Sequence, residues 1–188
     1  MIRSRGAKKR NGPRLFIAGH DDKGDSIWAS AKELDLAPLA EGIKTQPLWQ
    51  ISKVPVPMDE DGSVTPRTLW PANGLNFRYV IFPPQSRKAS SAGDAPRAGV
   101  HETDTVDLIV MVAGELCVGL EGTKKEVALR SGDILIQRGT THYWHNKSKS
   151  PAIFAVVIVD STRTAKTPRT NSGARSTAVG MPAPHSAP

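Results

Sequence analysis

Only one cysteine, Cys117, occurs in the 188 residues, so no disulfide can staple the chain to itself. That suits a reducing compartment, and a cytoplasmic protein is expected. Cys117 lies in an apolar run and reads as a small buried hydrophobe rather than a reactive thiol. Long apolar runs are missing too: none approaches the ~20 residues that cross a bilayer, so no membrane partner is expected. The basic start is not followed by a sustained apolar stretch, so no signal peptide is expected either. Several chemistries lack their motifs. There is no GxSxG, no phosphate-cradling GxxxxGK, no HExxH and no pair of CxxC. No nucleotide cofactor is therefore expected.

Acids are absent from both ends. Residues 1–14 carry six Lys or Arg and residues 161–188 carry four, with no Asp or Glu in either stretch. The net +7 therefore hides a folded middle, 15–160, of −3. A basic protein suggests a polyanion partner, but here only the tails are basic. Segments 1–12 and 161–188 are rich in small and polar residues and are expected to be solvated, disordered tails. Nucleic acid is not an expected partner.

Between the tails the chain has two parts. Over 13–75 the signals are short: strands at 15–18 and 48–52, a short helix over 29–39 with Leu34 and Leu36 as weak anchors, and an acidic turn at 58–62. The turn lacks the ladder of a calcium loop. This part is expected to pack on the second as an N-terminal extension, adding strands to a sheet edge. Over 76–160 the pattern is strand, turn, strand: 76–82, 106–112, 115–120, 126–129, 133–137, 142–145 and 153–159. The joints include Ala113-Gly114, Glu121-Gly122, Ser131-Gly132 and Gly139-Thr140, and a loop spans 87–98. Many short strands with Gly turns and no convincing helix argue for an all-β barrel or sandwich. Along 76–82 the apolar Phe77, Tyr79 and Ile81 share one face.

Two patches carry the polar chemistry. They are GVHETDTVDLIVMVAGE, from Gly99 to Glu115, and GDILIQRGTTHYWHN, from Gly132 to Asn146. Residues two apart on a strand point the same way, so His101, Thr103 and Asp107 share a face if their strand is unbroken, with Ile109 and Met111 continuing it. His142, Trp144 and Asn146 share another, with Tyr143 and His145 opposite. Two imidazoles and a carboxylate form the ligand set of a facial triad, suited to Fe and also to Zn, Mn or Ni. The bland reading has Asp107 accepting hydrogen bonds from neighbouring backbone or hydroxyls at the barrel mouth, and His101 and His142 as polar groups in a pocket that binds an organic ligand without metal. Asn146 reads as a residue that satisfies backbone at a turn, and His20 and His145 as surface or edge positions.

The two patches resemble the motifs of the cupin superfamily. The first motif's His, His, Glu and Gly positions fall on His101, Thr103, Asp107 and Gly114. The second falls on Gly132, Asp133, Gln137, Gly139, His142 and Asn146, with Gln137 where proline is usual and one residue fewer before His142. The whole is similar to small single-domain cupins with HxTDTVD and GDxxxQRGTxHxWxN signatures, and Gly19-His20-Asp21 and Leu48-Trp49 fit that likeness. The resemblance implies a double-stranded β-helix (jelly roll), a homodimer and a small-molecule ligand or substrate. It implies a divalent metal on His101, Asp107 and His142, with Thr103, Met111 and Trp144 lining the substrate pocket. The expected activity is that of an isomerase, lyase or oxygenase on a small carbonyl or carboxylate compound, and the alternative is a metal-free ligand-binding cupin. The residues name no catalytic base.

Overall fold

The computed structural model describes residues 12–40, 42–63, 73–85, 100–123 and 125–167. The loop expected at 87–98 and the basic segments 1–11 and 168–188 lie outside them. Every regular element among the described residues is a strand, and no helix there is long and apolar enough to cross a membrane. The chain divides into two compact units, Met1–Leu36 and Ala37–Pro188.

The first unit is a hairpin of β1 (Arg14–His20) and β2 (Ser26–Glu33), paired antiparallel around an Asp21 turn. Asp21 Oδ1 accepts from the backbone N–H groups of Lys23 and Asp25 at 2.9 and 3.0 Å, and Gly24 takes φ 84° there. Phe16 and Trp28 meet edge to face at 5.9 Å. The helix expected over 29–39 is not formed. Its residues supply the end of β2 and the start of the next strand, because a ladder to β1 satisfies backbone groups that the poor 3.6-residue apolar spacing could not support as a helix.

In the second unit, β3 (Ala37–Ala40) and β4 (Ile43–Ile51) extend a sheet through the pairing of β4 with β5 (Leu75–Phe82). This part of the extension enlarges the sheet as expected. Pro47 sits where the β4–β5 register slips, the position in a ladder that tolerates a missing N–H. The remaining strands are β6 (Thr105–Ala113), β7 (Glu115–Leu120), β8 (Glu126–Arg130), β9 (Ile134–Arg138), β10 (His142–His145) and β11 (Ala152–Asp160). They pair as nested hairpins: β7 with β8, β6 with β9, His101 with His142 of β10, and β5 with β11. Further pairing of β11 with β6 and of β10 with β7 gives a six-stranded sheet, β3-β4-β5-β11-β6-β9, and a three-stranded one, β10-β7-β8. A long hairpin rolled up in this way is the double-stranded β-helix.

The core lies between the two sheets. Val80, Phe82, Ile109, Met111, Phe154, Val156 and Ile158 come from the large sheet, and Leu116, Val118 and Leu129 from the small one. The inward face of β5 is the more polar one. Asn76, Arg78, Val80 and Phe82 are buried, while Phe77, Tyr79 and Ile81 sit on the outer, half-buried face. The chain continues past β11: Ser161–Thr167, expected to be part of a solvated tail, folds back over one end of the barrel.

Candidate functional site

His101 and Asp107 do not lie on one strand. The chain crosses between sheets after His101, which forms an isolated bridge to His142, and β6 begins only at Thr105. The crossing puts His101 beside His142 rather than in line with Asp107. Their ring centroids are 4.4 Å apart, and their backbones exchange hydrogen bonds of 3.0 and 2.9 Å. Trp144 meets the His142 ring edge-on at 5.7 Å and stacks on Phe154 at 5.8 Å, which fixes one wall. Thr103 joins Asp107 through Thr105: the Thr103 and Thr105 hydroxyls are 2.8 Å apart, and Thr105 donates to Asp107 Oδ1 at 2.7 Å. Met111, by contrast, is 1% exposed and belongs to the packed core.

His142 is 2% exposed, and its Nδ1 lies 2.8 Å from the Thr140 carbonyl oxygen. A carbonyl only accepts, so in the neutral ring Nδ1 carries the proton and Nε2 keeps its lone pair. Burial pulls the imidazole down to about 4, and the neighbouring His101 pushes it the same way. The Thr140 bond works against both. Asp107 moves in the opposite direction. Burial raises its carboxyl above the ordinary range, against the Thr105 hydrogen bond and the pull of His101. The site therefore favours a neutral imidazole and resists ionising a carboxyl, and His101 acts electrostatically on both.

The polar inner layer is wider than the sequence motifs indicate. Across the large sheet Gln50, Asn76, Ile158, Asp107 and Gln137 stand in register, with Asn76 and Gln137 fully enclosed. Gln137, where the motif favours proline, donates from Nε2 to the backbone and hydroxyl oxygens of Thr140. It thereby holds the turn that presents His142. Arg78 is 1% exposed, and its Nε donates to Thr45 Oγ1 at 3.3 Å. Burial lowers its guanidinium to about 10. Polar residues at alternate positions of an otherwise apolar strand are the signal that could have found Asn76 and Arg78.

Three expectations away from the site hold. Asn146 donates to the Phe82 and Ser150 carbonyls at 3.1 and 2.9 Å, and its Oδ1 accepts from Ser148. Cys117 is buried, and burial raises its thiol. His145 lies across from His142 on β10, its Nδ1 at 3.8 Å from Glu126.

No family model matches the chain. Among curated proteins it is 43% identical over 58 residues to oryzines biosynthesis cluster protein J of Aspergillus oryzae, covering 31% of this chain and 32% of that one. It is 25% identical over 147 residues to phomopsin biosynthesis cluster protein D of Diaporthe leptostromiformis, covering 72% and 71%. The chain thus spans about a third of the first relative and over two thirds of the second. Among solved structures, a cupin 2 conserved barrel domain protein from Salinispora arenicola is similar at TM-score 0.40 and 16% identity, over 67% of this chain and 82% of that one. The cupin domain of an XRE family transcriptional regulator from Enterobacter cloacae is similar at 0.40 and 17%, over 65% and 100%. What decides the fold is the chain's own nested pairing, with His101 bridged to His142. The fold is a double-stranded β-helix, the jelly roll. In this barrel the described residues bring two imidazoles together. Among them no group of three or more His, Cys, Asp or Glu side chains is arranged to hold a metal ion.

Proposed function

We propose that this protein is a small-molecule cupin of a biosynthetic route, which binds and converts a small carbonyl or carboxylate compound at the His101–His142 end of the barrel. The observation that carries the reading is the 4.4 Å approach of the two rings, one of them 2% exposed, within electrostatic reach of Asp107. The biosynthesis-cluster names of the two fungal relatives support a metabolic role. The chemistry that fits is proton transfer next to a carbonyl, as in isomerisation or dehydration. The Nε2 lone pair of His142 accepts a proton, Asp107 acts electrostatically on the pair through His101, and Thr103 and Trp144 border the substrate. In a metal-dependent form His101, His142 and Asp107 would hold the ion and would have to close up to do so, and Asp107 Oδ1 could keep its bond from Thr105.

The test is mass spectrometry on untagged protein, native and elemental, beside His142→Ala. A co-purifying organic ligand lost in the variant supports the small-molecule site. About one equivalent of Fe, Zn, Mn or Ni, lost in the variant, supports the metal-dependent form. If neither binds, even after loading with each ion and screening carbonyl acids, the site lies elsewhere.

The same reading includes a homodimer. An antiparallel sheet with one wet face shows polar residues on that face. Here Leu108, Val110 and Val112 of β6 and Ile134 and Ile136 of β9 point outward, from 42% exposed at Leu108 to 70% at Ile134. They are cross-strand neighbours, Leu108 to Ile136 and Val110 to Ile134, and β9 ends the sheet order. A second copy related by a two-fold axis covers such a patch with itself. Light scattering on the eluted protein should give about twice 20.2 kDa, and Ile136→Lys should give the monomer. A monomeric wild type at micromolar concentration refutes the dimer.

A further inference from the structure

Among the described residues a single bridging pair joins the His101 segment to β10, and a lone bridge is a weak tie. Something else has to hold the two imidazoles at their separation. The residue placed to do so is Arg163, which lies beyond the barrel's last strand.

Its guanidinium spans both segments. Nη2 donates to the carbonyl of Thr103 at 3.1 Å and to that of Gly139 at 3.0 Å, while Nε donates to Asp104 Oδ1. Nη2 also stands 3.6 Å from Glu102 Oε2, an oxygen that already accepts from Thr141 Oγ1 at 3.1 Å. Glu102, Thr103 and Asp104 directly follow His101, and Gly139 and Thr141 lie just before His142. One planar fork with donors in fixed directions therefore grips both approaches to the ring pair. The two segments lie close: a Cβ at Gly139, whose φ is 56°, would stand 2.9 Å from the Thr103 carbonyl oxygen. Arg163 is itself held. Ser161 N donates to the Asp104 carbonyl at 3.0 Å, and Arg163 Nη1 donates to that of Thr167 at 3.4 Å. Charge adds to geometry, because Glu102 and Asp104 sit two residues apart on one segment and the guanidinium offsets their repulsion.

We propose that Arg163 is a positioning residue that sets the spacing of His101 and His142 by clamping the loops that carry them. Calling that pair the site rests on the function proposed above, but the clamp itself can be tested without any ligand. A lysine keeps the charge and reaches one carboxylate, yet a single ammonium cannot bridge both carbonyls and both acids. A glutamine removes the charge as well.

Amide hydrogen exchange followed by NMR reads the clamp directly, together with the ring-to-ring NOE between His101 and His142. In Arg163→Gln the amides of His101 and His142 should exchange on the order of tenfold faster or more, and the NOE should be lost. The amides of Phe154 and Val156, in the centre of the large sheet, should keep their wild-type rates. Arg163→Lys should fall between the two. Unchanged exchange at His101 and His142 in Arg163→Gln, with the NOE intact, overturns the proposal. So does an equal rise at Phe154 and Val156, which would make Arg163 a general stabiliser. Failure of ligand or metal binding to respond to His142→Ala would remove the function proposed above and leave this exchange result standing.

Discussion

Phe154→Ala should destabilise the protein by about 3–5 kcal/mol, read as a fall in the urea midpoint at unchanged slope. Phe154 is 7% exposed on β11, between β5 and β6 in the middle of the large sheet. Its removal leaves a void that neighbours already paired on both sides cannot close. It also withdraws the surface on which Trp144 stacks, with ring planes 18° apart. Such pairs are worth a further ~0.5–1.5 kcal/mol beyond burial. The damage should reach the site, because Trp144 meets the His142 ring edge-on. Phe154→Leu keeps most of the volume without the stack and should cost less than about 2 kcal/mol. A loss under about 2 kcal/mol for the alanine variant would show that this part of the core repacks freely and that the wall behind His142 is not rigid.

The strands from β5 onward are legible because glycine turns punctuate them. The expected and observed ends of β7 and β10 coincide, and the others differ by about one residue. The structure brings His101, Thr103, Asp107, His142 and Trp144 towards one end of the barrel. What the pattern did not reveal is of three kinds. Along β5 the alternation sets Phe77, Tyr79 and Ile81 on one face and Asn76 and Arg78 on the other, and the barrel encloses the second. Period two separates the faces without saying which is inside when both offer apolar atoms. The spacing of His101 and Asp107 suggests one strand, but the change of sheet between them is a tertiary event with no local signal. Arg163 lies in a stretch whose composition resembles a solvated tail, and its contacts to Thr103, Asp104 and Gly139, far back in the chain, carry no local signal. The missed helix over 29–39 is a milder case: weak apolar spacing yielded to pairing with β1.

Acid should weaken the chelated protein through His142, and the sign follows from the direction in which burial moves its imidazole. Folding depresses this ring from 6.5 to about 4, so between those values the unfolded chain takes up a proton that the folded one refuses. The stabilising preference for the neutral ring is fully present above about 6.5 and is lost as the pH falls towards 4. Between pH 7.5 and pH 5 the loss should be about 2 kcal/mol, since each tenfold difference in proton affinity between the folded and unfolded chain is worth about 1.36 kcal/mol. Asp107 works the other way, because its raised carboxyl favours the protonated form and gains stability on acidification. The wild-type slope is therefore the difference of two opposed contributions, and two variants separate them. His142→Gln removes the titrating ring and should flatten or reverse the loss between pH 7.5 and 5. Asp107→Asn removes the opposing carboxyl and should steepen it. Urea midpoints at four pH values, in chelator so that no bound cation contributes, are enough to see both. If both variants move the slope in the same direction, the two groups do not carry the opposed shifts that burial gives them.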